Sequence, residues 1–426
     1  MLIAPARTAL RSAARGFAAR GLAALGLVVA GLLPLGLGGP LGLARPALAQ
    51  QAQLAKPTKV TFGYLSIKND PRYHEIKTYA NLVLRPAIDP FQGAQVGLRD
   101  GRIMGRALKM NFALERVEGS DAKALLAGLD RLYTDEGVRF FLIDAPGDVV
   151  AKLAKVTRGR DLLLLNVTAP DDALRGAGCA PQMLDVAPSL TMLTDALAEY
   201  AVVKKWRKIL LLRGPRAEDK TLADSYARSF TRFGAKIVDT REFVPTKDPR
   251  QREQNNIPLL TSGLDYDAVV VADTEGDFGR FFPYQVALPR PVIGSVGLVP
   301  AVWDWALERY GAPQLNQRFE HHAKRQMTGY DWDAWAAVRV VIEGIAGSRS
   351  AELAPVEAFL KGKDLRFDMY KGAPGSFRSW DNQLRQPIVL HTSDAVIAVA
   401  PFEQFLHPVT NLDSLGVDKP QTACRF

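Results

Sequence analysis

The sequence predicts an α/β protein in two lobes, each a mainly parallel β-sheet flanked by helices. Three observations carry that prediction: short runs that are almost wholly apolar, stretches of helical period between them, and a restart of the same rhythm midway along the 426 residues. A strand that is apolar along its whole length is buried on both faces, as a parallel sheet covered by helices requires.

The first strand is "KVTFGYL" (59–65). Ala122, Leu125, Leu126, Leu129, Leu132 and Tyr133 recur at helical spacing, Gly137 stops that helix, and "VRFFLI" (138–143) follows as a buried strand. A short helix through Val149, Leu153 and Val156 leads to "DLLLLNV" (161–167). After "RGAGCAPQ" (175–182) the alternation begins again. Leu190, Leu193, Leu197 and Tyr200 precede "KILLL" (208–212); Leu222, Tyr226, Phe230 and Phe233, closed by Gly234, precede "AKIVD" (235–239). A helical stretch near 249–263 precedes "DAVVVA" (267–272), and "RPVIGS" (290–295) is a further strand. Beyond Pro300, "VWDWALERYG" and "DWDAWAAVRVVIEGIAG" read as helices, the second capped by Asp331 or Asp333 and striped by Trp335, Val338 and Ile342. A terminal strand, turn and strand lie within 376–402. This order predicts a chain that crosses between its lobes more than once. One lobe is expected from 58–178 plus 300–375, the other from 179–299 plus 376–426.

Residues 1–49 read as a secretory signal: Arg7, Arg11, Arg15 and Arg20 precede a Gly- and Leu-rich run, and Ala47 and Ala49 offer small residues for cleavage before Gln50. Pro34, Pro40 and several glycines interrupt that run, which argues against a membrane anchor. Those residues hold five arginines and no acid, so the formal charge falls from +9 to 9 − 5 = +4 on cleavage. A mildly basic exported chain gives little reason to invoke nucleic acid. Its two cysteines, Cys179 and Cys424, either form one disulfide in an oxidising compartment or stay as thiols; spacing does not decide.

No nucleophile elbow, phosphate loop or dinucleotide-binding turn is present, so an enzyme is not expected, nor a cofactor. "DTEGDFGRFFPY" (273–284) opens like a calcium loop but has Phe278 at its sixth position and Tyr284 at its twelfth, where such a loop needs Gly and Glu. His321 and His322 are adjacent on a helix and point about 100° apart, so they cannot share a metal ion.

What remains is position. Ligands of open parallel sheets bind beyond the carboxyl ends of the strands. The loops there hold Asp144 and Asp148; Asn166, Thr168 and Asp171; Arg213; and Asp273, Glu275 and Asp277. With Tyr64 these are the candidate ligand-binding residues. Most of the charged ones are acids, although each acid also suits a cap or a solvated turn. Tyr64, Tyr284 and Trp303 are aromatics able to close over an amine.

The stretch "FQGAQVGLRDGRIMGRALKMNFALERVEGSDAKALLAGLDRLYTDEGVRFFL" resembles the type I periplasmic solute-binding proteins, the branched-chain amino-acid-binding class of ABC transporter receptors. The resemblance runs on through "LTDALAEYAVVKKWRKILLLRG", "FGAKIVDTREF", "LDYDAVVVA" and "MTGYDWDAWAAVRVVIEGIA". It implies a periplasmic, monomeric receptor that closes two hinged lobes on a small solute and delivers it to a membrane permease. With "SIKNDPRYHEIKTYANLVLRPAIDPF", the chain is similar to the subgroup associated with PQQ-dependent alcohol dehydrogenase systems, whose relatives are linked with lanthanide uptake. Receptors of this class clasp a carboxylate with Ser and Thr hydroxyls, where this chain has Asp144, Pro146, Gly147 and Asp148 and keeps only Asn166 and Thr168. Carboxylates repel a carboxylate, so a cation is the expected ligand: a hard metal ion or an organic amine. The competing expectation is an exported accessory or sensor protein that uses the same fold to hold a partner protein.

Overall fold

In a computed structural model, residues 57–77, 83–245, 250 and 252–426 are described; the expected signal sequence at 1–49 lies outside them. Nine strands, β1 to β9 in chain order, form two parallel sheets. The first contains β1 (Thr58–Ile67), β2 (Met110–Gly119), β3 (Phe140–Asp144), β4 (Leu163–Asn166) and β5 (Met183–Asp185), in the order β2-β1-β3-β4-β5. The second contains β6 (Lys208–Arg213), β7 (Lys236–Glu242), β8 (Ala268–Ala272) and β9 (Val292–Gly294), in the order β9-β8-β6-β7.

The apolar runs form strands because both of their faces are covered. All five residues of β3 are buried, and all five of β8. Phe140 and Leu142 face one core with Phe62, Tyr64, Trp332, Trp335 and Val338; Phe141 and Ile143 face the opposite core with Leu125, Leu129, Val150 and Leu153. In the second sheet Ile209, Leu211 and Val270 pack with Tyr226 and Phe230, while Leu210, Leu212 and Val269 pack with Phe243 and Phe282. Each such side chain contributes about 2 kcal/mol by leaving water.

Helix Gly329–Ser348 backs the first sheet. Thr328 and Asp331 form its capping box, the hydroxyl accepting the Asp331 N–H while the carboxylate accepts the Thr328 N–H at 2.9 Å. Helix Phe91–Asp100 lies so close to it that a Cβ on Gly93 would stand 2.0 Å from the Asp331 carbonyl oxygen.

Two sequence expectations need correction. "VWDWALERYG" is not helical: Asp304 Oδ1 turns back to accept the Ala306 N–H at 2.8 Å, and a helix begins only at Ala312. The stretch near 249–263 is two short helices, Arg252–Asn255 and Ile257–Leu260, because Asn256 caps the second and Pro258 stands in its first turn. Beyond these, Met183–Asp185 pairs with β4 and closes the first sheet at that edge.

The chain passes between the sheets at 186–189, 295–303 and 386–387. An antiparallel sheet of Val299–Ala301, Ile388–His391 and Val396–Ala400 lies at these crossings. Its middle strand alternates, with Ile388 and Leu390 in the core of the second sheet and Val389 in that of the first. Buried side chains join the crossings to each other. Lys371 Nζ donates to the Val302 carbonyl at 3.1 Å and to Gln386 Oε1 at 2.7 Å, and Gln386 Nε2 donates to the Val186 carbonyl at 2.7 Å. The tail returns to the first half of the chain through a disulfide between Cys179 and Cys424.

Candidate functional site

Strand order fixes where each sheet offers a crevice. The first reverses direction between β1 and β3, the second between β6 and β8, and open α/β sheets bind ligands beyond the carboxyl ends at such points. The registers Ser66 with Asp144 and Arg213 with Ala272 bring Asp144 to one of these points, and Arg213 and Asp273 to the other.

At the first, the loop after β1 folds a side chain over the strand ends. Asn69 takes a positive φ of 55°, Asp70 caps the single 3₁₀ turn Pro71–Tyr73, and Arg72 is held by Asp70 at 2.9 Å from Nε and 2.7 Å from Nη2. The guanidinium then spans β3 and β4, donating from Nη2 to Asp144 at 3.2 Å and from Nη1 to Thr168 Oγ1 at 3.1 Å. Asp144 also accepts the hydroxyls of Tyr64, at 2.9 Å, and Tyr73. Tyr330 meets Tyr73 edge to face at 5.6 Å.

Burial pushes the Asp144 carboxyl above the usual carboxylate range, against the opposing pull of Arg72 and the two tyrosine hydroxyls. Burial likewise raises the phenols of Tyr64, Tyr73 and Tyr330, so all three carry their protons at neutral pH. A second guanidinium borders the cluster, Arg85 donating from Nη2 to the Pro71 carbonyl at 3.3 Å.

At the second point the carboxylates mostly serve their own loops. Asp273 accepts the N–H of Gly276 at 3.0 Å and of Gly279 at 2.7 Å, and burial raises its pKa. Asp219 accepts both the N–H and the hydroxyl of Thr274, at 2.7 and 2.6 Å. Glu275 pairs with Arg216, Asp277 with Arg280 at 3.4 Å, and Arg213 with Glu242 at 3.5 Å.

The structure therefore gathers Tyr64, Asp144 and Thr168 into one cluster and leaves the other candidates apart from it. Asp148 is exposed and pairs with Lys152 at 2.8 Å. Asn166 is a loop brace, its amide donating to Asp185 and to the Ala169 carbonyl, each at 2.8 Å. Asp171 is exposed, with its carboxylate against Gly147, where a Cβ would stand 2.3 Å from it. Tyr284 is 86% exposed and Trp303 is buried with its indole N–H on Asn316 at 3.0 Å, so neither lines the cluster. Among the described residues, no group of three or more His, Cys, Asp or Glu side chains is placed to hold a metal ion. Sequence reasoning did not single out Asp70, Arg72, Tyr73 or Tyr330. The turn signal Asn-Asp-Pro-Arg-Tyr directly after the first strand was the feature that could have found the first three.

Comparison with known proteins bears on the whole arrangement. Residues 98–283 match the family model described as periplasmic binding protein. An ABC transporter substrate-binding protein from Sphaerobacter thermophilus superposes with a TM-score of 0.65 at 14% identity, over 84% of this chain and 100% of that one. A branched-chain amino acid ABC transporter periplasmic ligand-binding protein from Burkholderia xenovorans gives 0.64 at 14%, over 81% and 96%. A solute-binding protein of an ABC transporter from R. palustris, in complex with benzoate, gives 0.58 at 13%, over 86% and 100%. No curated protein matches the sequence. Residues 98–283 are thus similar in sequence to the periplasmic binding protein family, and the described chain has the two-lobed fold of the solved periplasmic binding proteins it superposes on.

Proposed function

We propose that this chain is the exported, periplasmic solute-binding component of an ABC transporter, with its ligand held between two hinged lobes and presented to a membrane permease. One observation carries the reading: both sheets reverse strand order where their loops bring in chemistry-bearing side chains, and in the first sheet these converge as Arg72, Asp144, Thr168, Tyr73 and Tyr330. Lobes near 58–178 plus 300–375 and 179–299 plus 376–426 are part of the proposal, the strand Met183–Asp185 going with the first, as is a monomeric receptor. No covalent step is required. A micromolar affinity corresponds to about −8 kcal/mol, within reach of a few charge-assisted contacts in a closed cleft.

For the ligand we favour an organic amine. The carboxylates of Asp70 and Asp144 can accept from a cationic donor, and the rings of Tyr73 and Tyr330 suit an ammonium group. A lanthanide or other hard metal ion has less support, since Asp148, Asp273, Glu275 and Asp277 are each engaged with a local donor. The link to a PQQ-dependent alcohol dehydrogenase system rests on the likeness of residues 66–91 to that subgroup.

A second reading has its own observation. Arg72 is bound by Asp70, Asp144 and Thr168 and fills the ends of β3 and β4, as a bound solute would. A half-site occupied from within suits an accessory or sensor protein that holds a partner protein. Calorimetry on the exported protein with primary amines, lanthanum, calcium, leucine, benzoate and short alcohols decides between them. Saturable binding of an amine, lost in Asp144→Asn, supports the receptor; silence toward every compound, with unchanged melting temperatures, overturns it in favour of the second reading.

A further inference from the structure

Away from the strand-end loops, a groove of about 550 Å³ opens between the turn after helix Leu353–Leu360, strand Pro374–Phe377 and the tail near 409–419. Its lining includes the buried side chains Leu365, Phe377 and Leu412, and the ring of Trp380. Trp380 is fixed: its indole N–H donates to the Val417 carbonyl at 3.2 Å, and the guanidinium groups of Arg378 and Arg385 lie 5.4 and 5.2 Å from its ring centre.

The charge around this apolar surface is one-sided. Lys361, Lys363, Arg366, Arg385 and Lys419 line the groove and no aspartate or glutamate does. Two of the five are spent: Lys361 on Glu357 at 2.5 Å, and Arg385 on Asp413 at 2.8 Å. The other three are exposed, and among the described residues none has a carboxylate within ion-pair distance. Arg366 Nη1 donates only to the carbonyls of Lys363 and Leu365. Three cations left uncompensated around an apolar floor repel one another and attract an anion with an apolar body. The volume is that of a small-molecule site, not of a protein interface.

We infer that this groove is a second binding site, for a small amphiphilic anion: a carboxylate or sulfonate on an aromatic or aliphatic body. The acidic head meets Lys363, Arg366 and Lys419, and the body lies on Phe377, Trp380 and Leu365. This site is independent of the proposed cleft, because none of its lining residues belongs to the strand-end loops.

The test uses the exported protein and the fluorescent anion 8-anilinonaphthalene-1-sulfonate. One molecule per chain is expected to bind, and the triple variant Lys363→Glu, Arg366→Glu, Lys419→Glu to weaken it at least tenfold. Lys419→Gln, an exposed change, is expected to weaken it about threefold, which keeps the result readable if the triple variant folds poorly. The uncharged analogue N-phenyl-1-naphthylamine should bind the unaltered protein at least tenfold more weakly, and Arg72→Ala should leave dye binding unchanged. The assignment is overturned by equal affinity for the charged and uncharged dyes, by full affinity in Lys419→Gln and the triple variant, by loss of binding in Arg72→Ala, or by no saturable binding.

Discussion

Arg72 and Asp144, 72 residues apart in sequence, meet at 3.2 Å where the first sheet reverses its strand order. The Arg72 side chain is 24% exposed and that of Asp144 2%, so the pair is buried on one side only. Removing one partner of a fully buried pair costs about 3–5 kcal/mol. Partial exposure and the two tyrosine donors reduce this, and Arg72→Ala is expected to lose about 2 kcal/mol. The double variant Arg72→Ala, Asp144→Asn should lose less than the sum of the single changes, as measured by urea unfolding of all four proteins.

Glu199 is buried, forms no ion pair among the described residues and holds the tail instead, accepting the Ser414 hydroxyl at 2.6 Å and the Phe402 N–H at 3.2 Å. Burial raises its pKa from 4.5 to about 7. The folded state therefore holds this proton more tightly than the unfolded chain does. Its stabilising effect is complete below about pH 4.5 and is lost as the pH rises through about 7. A shift of this size corresponds to about 3 kcal/mol. Melting curves of Glu199→Gln and the unaltered protein should coincide near pH 4.5 and separate by pH 8, with the variant the more stable; parallel curves would show that the carboxyl is not tuned in this way.

Asp413 accepts from Arg378 Nε at 2.9 Å and from Arg385 Nε at 2.8 Å, and it is fully buried. Asp413→Ala leaves the buried Arg378 without that partner and is expected to cost about 3–5 kcal/mol. Proteolysis near residues 409–419 should quicken in step.

Reduction of the Cys179–Cys424 disulfide frees a segment 245 residues from its partner. The expected loss is about 2–4 kcal/mol, visible as a lower melting temperature in reductant and absent in Cys179→Ser, Cys424→Ser.

Gly93→Ala places a methyl group 2.0 Å from the Asp331 carbonyl, where backbone and not a flexible side chain stands in the way. Helices Phe91–Asp100 and Gly329–Ser348 must separate, at a cost of about 3 kcal/mol or more, measurable as reduced yield and a lower midpoint in urea.

The strands were legible because burial on both faces leaves a run with almost no polar residue, as in Phe140–Asp144 and Ala268–Ala272. The segment 302–311 was not, because apolar residues at helical spacing say nothing of Asp304 folding back on its own backbone. The candidate site was legible as a place more than as a set of groups. Asp144 and Thr168 end strands that periodicity marks, whereas the arginine that joins them comes from a loop without period. The acids suggested an unbalanced field because a sequence does not display partners such as Arg216 for Glu275, which only folding brings together.

The chain formed by Lys371 and Gln386 links the Val302 carbonyl to that of Val186 through the interior. Segments fastened to one another in this way resist sliding, since any shear must break buried hydrogen bonds. Any relative travel of the two sheets is therefore expected to be a swing about this link, as about an axle. Probes placed far from that axle, one on each half, should therefore report the same opening rate wherever they are attached.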